Sequence, residues 1–89
     1  MSKSFQQDIL PLFRQRDILC MGNMNVLLND YSYMSNPAGD AIHHDYANAR
    51  HIFAHLKGDE QPRMPPGGPY WPDEKLNILY EWINSGCAP

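Results

Sequence analysis

Phe5, Ile9, Leu12 and Phe13 recur at the i, i+4, i+7, i+8 spacing of one helix face, with polar residues between them. The pattern predicts an N-terminal helix capped by Ser4, with Asp8 near its positive end, that runs out around Arg16 or Asp17. Pro11 interrupts its ladder and predicts a kink or a restart. A second helix is expected over about Tyr46 to Leu56, with Ala49, Ile52, Phe53 and Leu56 facing inward and Gly58 as its stop. Asp40 to His44 reads as a separate helical turn before it. The clearest stripe comes last: Leu76, Leu79, Tyr80 and Ile83, flanked by Trp82. Pro72, Asp73 and Glu74 suit the start of that helix, and Gly86 its end.

The segments between these stripes lack a period. From Gly22 to Asp40 the turn formers Asn23, Asn25, Asn29, Asp30, Ser32 and Asn36 alternate irregularly with the apolar anchors Leu27, Leu28, Tyr31, Tyr33 and Met34. The run from Gln61 to Pro69 holds four prolines and two glycines and reads as a rigid, extended loop presenting Met64. The whole pattern is all-α: about three to four helices with long Pro/Gly-rich loops, in a single domain over residues 1–89.

Composition narrows the function classes. A chain of 89 residues is near the lower limit for a self-sufficient core. Its net charge is -3 with the signs interspersed, so no basic patch predicts nucleic-acid binding. No apolar run is long enough to predict a membrane span. Met1-Ser2-Lys3-Ser4-Phe5 leads directly into the first stripe with no apolar run of signal-peptide type, so a cytoplasmic protein is expected. Cys20 and Cys87 are far apart in sequence and read as free thiols, Cys20 buried in an apolar setting and Cys87 exposed near the C-terminus.

Three pieces together resemble the small c-type cytochrome domains of bacteria. The first is Phe5-x-x-Asp8-Ile9-x-Pro11-Leu12-Phe13, which in that family leads into the haem-attachment pentapeptide Cys-x-x-Cys-His. The second is Met64-Pro65-Pro66-Gly67-Gly68, similar to the loop that carries the distal methionine ligand. The third is Glu74-x-Leu76-x-x-Leu79-x-x-Trp82-Ile83-x-x-Gly86, similar to the closing helix. Leu28-x-x-Tyr31 also fits the loop after the haem. The resemblance implies a cytochrome c-like fold in which the first and last helices cross and loops wrap a haem.

The attachment pentapeptide itself is replaced by Asp17-Ile18-Leu19-Cys20-Met21. Asp17 has no thiol for a thioether, and Met21 stands where the resemblance implies the proximal histidine. A thioether is the weaker iron ligand. Covalent haem is therefore not expected. Cys20, Met21 and Met64 are the vestigial haem-site positions. They offer a noncovalent haem two methionine sulfurs, with Cys20 as a possible thiolate. The competing reading is a core in which methionine, the adaptable gap-filler, replaces the porphyrin.

His44, His51 and His55 fall at i, i+7, i+11, with His43 adjacent, and are the candidate metal ligands. His51 and His55 alone have the i, i+4 spacing that grips one ion. No carboxylate partner set is apparent, so solvated helix histidines are the competing reading. Cys20 would be reactive if Arg14 or Arg16 lowered its pKa. No nucleophile motif, paired acids or phosphate loop is visible, so no enzyme activity is expected.

The functional expectation is a haem-less cytochrome c-like domain that serves as a protein-binding or accessory module, for example of a larger redox enzyme. Its contact surface is expected at Met24, Tyr33, Met34, Met64, Pro65, Tyr70 and Trp71. The alternative is an electron carrier with noncovalent haem on Met21 and Met64, or with a metal on the histidines.

Overall fold

Pro11 has no N–H, and its ring excludes the carbonyl four residues earlier, so the N-terminal helix cannot run straight through it. In the computed structural model, which describes residues 3–64 and 69–89, the backbone first widens and then tightens around this residue. Phe5–Ile9 forms a π-helical turn, and Leu10–Leu12 a 3-10 turn. The Ile9 N–H reaches back five residues to the Ser4 carbonyl at 3.3 Å. This local widening is a usual response to a blocked helical bond. Phe13 is extended, and the chain restarts at Gln15 as α1 (Gln15–Gly22).

The restart corrects the expected boundary: the chain is helical through Arg16 and Asp17 rather than ending there. The cause is a cap. The Asp17 carboxylate accepts from the Arg14 backbone N–H at 3.1 Å and takes the Arg14 guanidinium as well. This anchors the first turn of α1.

Three more α-helices follow among the described residues: α2 (Tyr31–Met34), α3 (Ala47–Lys57) and α4 (Asp73–Asn84). The single turn of α2 lies in a stretch expected to be irregular. Asp30 caps it by accepting from the N–H groups of Ser32 at 2.9 Å and Tyr33 at 3.4 Å. Asp40 to His44 forms bends rather than the expected helical turn. There the Asp40 carboxylate accepts from the Ile42 and His43 N–H groups, which makes an Asx turn that competes with helix. α3 starts one residue later than expected, after Tyr46 in a left-handed conformation (φ 46°). Gly58 ends it at φ 97°, a conformation that glycine alone adopts at little cost. α4 starts after Pro72, close to expectation.

One hydrophobic cluster runs through all of these elements. Phe5 sits between Tyr31 and Trp82, with ring centroids 5.5 and 5.6 Å away. Both chain ends join there. The Ala88 carbonyl accepts from the Phe5 N–H at 2.9 Å and from the Trp82 indole N–H at 2.8 Å. The Tyr31 hydroxyl donates to the Cys87 carbonyl at 2.6 Å. The N-terminal turn therefore packs against α4 and the C-terminal tail, while α3 packs against the same helix. The Cα radius of gyration, 11.9 Å, matches the ~12 Å of a compact chain of this length. The described residues contain no strand, and none of their helices is long and apolar enough to cross a membrane.

The two cysteines exchange the expected environments. Cys20 is exposed on α1, because the inward face of that helix is taken by Asp17 and Met21. Cys87 is fully buried under α4, and burial pushes its thiol pKa up to about 11. Both are free.

Candidate functional site

Met21 projects inward from α1 and Met64 inward from the segment after α3, and both are buried. The Met64 N–H donates to the His55 carbonyl at 2.9 Å, which ties that segment to the last turn of α3. The two methionines line the same small cavity, with Phe13, Leu28, Ile52 and Trp71 around it. Its volume is about 20 Å³, enough for one water molecule. On the other side of the pair lies an open groove of about 130 Å³, bordered by Met24, Val26, Tyr33 and His55.

The group that the resemblance implies, a haem, would lie between Met21 and Met64, where Phe13, Leu28, Ile52 and Trp71 line the small cavity and the open groove adjoins it. Asp17, which stands where the resemblance implies the first thiol, is buried and engaged by Arg14 at 3.0 and 2.9 Å. These hydrogen bonds hold the Asp17 carboxyl below the usual carboxylate range, against the desolvation that would raise it. Arg14, considered as an activator of Cys20, is thus committed to Asp17. Cys20 borders the cavity but is itself exposed.

The expected contact surface divides in two. Met34, Met64 and Trp71 are buried and belong to the core, not to an exposed patch. Trp71 stacks on Phe13 at 5.3 Å and is covered by the Lys75 ammonium at 4.9 Å. Tyr33 is half-buried, and that burial raises its pKa. Met24 and Tyr70 remain exposed, the latter beneath Arg63 at 4.2 Å. Pro65 lies outside the described residues. Leu19 and Leu27, which the hydrophobic pattern does not single out as surface, are also exposed.

The histidines converge, but not in the expected set. His43 takes the place of His44, which is exposed and stands apart from the cluster. His43, His51 and Glu60 each offer a ligand atom within 4.8 Å of the others. His43 Nε2 is 3.1 Å from Glu60 Oε2, and His51 Nδ1 is 2.8 Å from both carboxylate oxygens. On its other side, His51 Nε2 is 2.6 Å from Asp40 Oδ2. His55 lies at the edge: its Nε2 is 3.9 Å from Glu60 Oε1, and its Nδ1 is 2.9 Å from the Pro62 carbonyl.

Two backbone devices build this cluster. The loop from Pro37 to Ala47 is closed at its base, because the Tyr46 and Ala47 N–H groups donate to the carbonyls of Pro37 and Ala38. Within it the Asp40 N–H donates to the His43 carbonyl at 2.7 Å, which brings Asp40 and His43 together. After α3 the left-handed Gly58 reverses the chain, and the N–H groups of Asp59 and Glu60 both donate to the Ala54 carbonyl. Glu60 is thereby folded back toward His51. The missed carboxylates had a partial signal: an acidic residue two positions after a glycine helix stop returns toward the last turns of that helix.

The electrostatics follow from this geometry. Burial disfavours the charged His51 imidazole, but hydrogen bonds to Asp40 and Glu60 outweigh it and raise the pKa. Glu60 is also partly desolvated, yet His43 and His51 bring its pKa below the ordinary value. The His43 N–H, then His51 and the Ile42 N–H, hold Asp40 far below the carboxylate range.

No family model matches this chain, and neither does any curated protein or any solved structure.

Proposed function

We propose that the chain is a haem-free, cytochrome c-like scaffold that acts as a protein-binding or accessory module, such as one serving a larger redox enzyme. The observation that carries this reading is the filled space between Met21 and Met64. Where the resemblance places a porphyrin, the side chains leave a cavity of about 20 Å³ and, beside it, an open groove of about 130 Å³. Both methionines are buried within the hydrophobic cluster, where a flexible thioether fills space. The packing of the N-terminal turn against α4 supports the cytochrome-like arrangement.

A scaffold with no visible catalytic constellation acts through its surface. Leu19, Met24 and Leu27 are apolar and exposed within nine consecutive positions around the end of α1. Aliphatic and thioether side chains of this kind serve as adaptable contacts. The test combines spectroscopy with crosslinking. Purified protein should show no Soret band, alone or after added haemin and desalting. A photo-crosslinking residue at Met24 should capture one discrete partner in cells, while the same residue at exposed Glu74 should not. A haemin complex at 1:1 stoichiometry, or equal capture from both positions, would sink the proposal.

A further inference from the structure

Lone pairs that converge from separate segments repel one another unless a proton or a metal ion lies among them. The Pro37–Ala47 loop, α3 and the turn after α3 supply such a convergence in His43, His51 and Glu60. We propose that these residues form a binding site for a divalent first-row transition-metal ion, with His43 Nε2, His51 Nδ1 and the Glu60 carboxylate as ligands. This site does not depend on the accessory-module reading, because it lies on different side chains from the Met21–Met64 core.

The donor set is two imidazoles and a carboxylate, with no thiolate. Such a set suits zinc, and also cobalt, nickel or copper, rather than calcium or magnesium. The distances are close to those of coordination. Tetrahedral zinc with bonds of ~2.0–2.1 Å places neighbouring donors roughly 3.3 Å apart. The observed pairs stand at 3.1 Å for His43–Glu60 and 2.8 Å for His51–Glu60. The third pair, His43–His51, lies within 4.8 Å, so rotation of the side chains has to bring the three donors onto one ion.

The surrounding contacts have the form that metal-bound histidines use. A coordinating imidazole commonly donates its other N–H to a carboxylate or a backbone carbonyl, which sets its tautomer and orientation. His51 has Asp40 in that position at 2.6 Å, leaving Nδ1 toward Glu60. His55 Nδ1 donates to the Pro62 carbonyl at 2.9 Å, which turns Nε2 toward Glu60. His55 Nε2 lies at the edge of the set, 3.9 Å from Glu60 Oε1 and outside the group of three donors. Coordination requires a deprotonated His51 Nδ1, so an ion competes with protons for this position.

A pair of surface histidines held only by carboxylates predicts a different result, and titration calorimetry with zinc on tag-free protein separates the two. One zinc ion per chain is expected. His43→Gln and Glu60→Gln should each weaken binding at least tenfold. Asp40→Asn, which removes the orienting carboxylate, should weaken it by about 10- to 100-fold. His44→Gln should leave the affinity unchanged, because His44 lies outside the cluster. Absence of saturable one-to-one binding, or equal affinity in wild type, His43→Gln and Glu60→Gln, would overturn the proposal. If a variant fails to fold, amide NMR shifts of the wild type under zinc decide. Shifts centred on residues 40–43, 51–55 and 60 uphold the site, and shifts centred elsewhere overturn it.

Discussion

Arg14 and Asp17 face each other across the first turn of α1 through three hydrogen bonds, one from the Arg14 backbone and two from its guanidinium. Asp17 stands where the cytochrome-like pattern implies a thiol. The residue that rules out a thioether therefore also starts the helix.

Asp17→Ala should destabilise the protein by about 1–2 kcal/mol, mostly through the lost cap. The ion pair adds little, since the Arg14 side chain is 40% exposed. In a thermal melt this corresponds to a fall of roughly 5–10 °C for a chain of this size. Asp17→Asn keeps an acceptor for the backbone N–H and should lose less. An unchanged melting temperature in Asp17→Ala would show that α1 does not need this cap.

Acid should weaken the same contact. The folded-state pKa of Asp17 is lowered, chiefly by the Arg14 hydrogen bonds, relative to about 3.9 for an unfolded aspartate. Its contribution is therefore fully present above about pH 4 and is lost as pH falls through the folded-state value. Asp40 and Glu60 are also lowered and titrate in the same direction. The informative quantity is the stability of the wild type minus that of Asp17→Asn, from urea melts between pH 2 and 6. That difference should shrink toward acid. A constant difference would remove the charge from the account of this cap.

The apolar stripes made the bounds of α3 and α4 legible to within about a residue, but on α4 the buried face takes Trp82 from the expected flank and leaves Tyr80 exposed. Three features were hidden for physical reasons. The π-turn before Pro11 depends on how the chain relaxes around a blocked bond. The α1 boundary depends on one side chain, Asp17, which reads equally as a surface charge. The metal-type cluster depends on Gly58 folding Glu60 back and on Asp40 turning the loop, and neither appears in helical spacing. Spacing along one helix pointed to His44, whereas the non-helical turn at Asp40 brings in His43.

The junction of the two chain ends should dominate stability. Trp82 is wholly buried, so Trp82→Ala should cost about 3–5 kcal/mol, a large share of the total for a chain this small. Trp82→Phe removes the indole donor, but the Ala88 carbonyl keeps its bond from the Phe5 N–H, so the loss should be much smaller. Tyr31→Phe takes a donor from the Cys87 carbonyl and should cost about 0.5–1.5 kcal/mol. Urea denaturation of the three variants tests this order. A Tyr31→Phe loss as large as that of Trp82→Ala would contradict it.

Gly39 should be intolerant of any side chain. A Cβ there would collide with the carbonyl of His44 and lie 2.8 Å from that of His43. Gly39→Ala must therefore displace the backbone that holds Asp40 and His43 together, while the α3–α4 packing lies elsewhere. The expected result is a folded protein whose amide NMR shifts change across residues 38–46 and at His51 and Glu60, with the Trp82 indole signal in place. Unchanged shifts at His51 and Glu60 would mean that the loop does not position the cluster.

The two thiols should differ sharply in reactivity. Cys20 is exposed on α1, so a maleimide should modify it in the folded protein without denaturant. Cys87 is fully buried and its thiol pKa is pushed up to about 11, so both access and thiolate are scarce at neutral pH. Its labelling requires the C-terminal tail to leave the site where Tyr31, Phe5 and Trp82 hold it. Intact mass after brief native labelling should show one adduct, with a second appearing only in denaturant. Cys20→Ser should abolish the rapid adduct. Two rapid adducts would mean that the tail opens independently of global unfolding and that the Tyr31 and Trp82 contacts do not hold it shut.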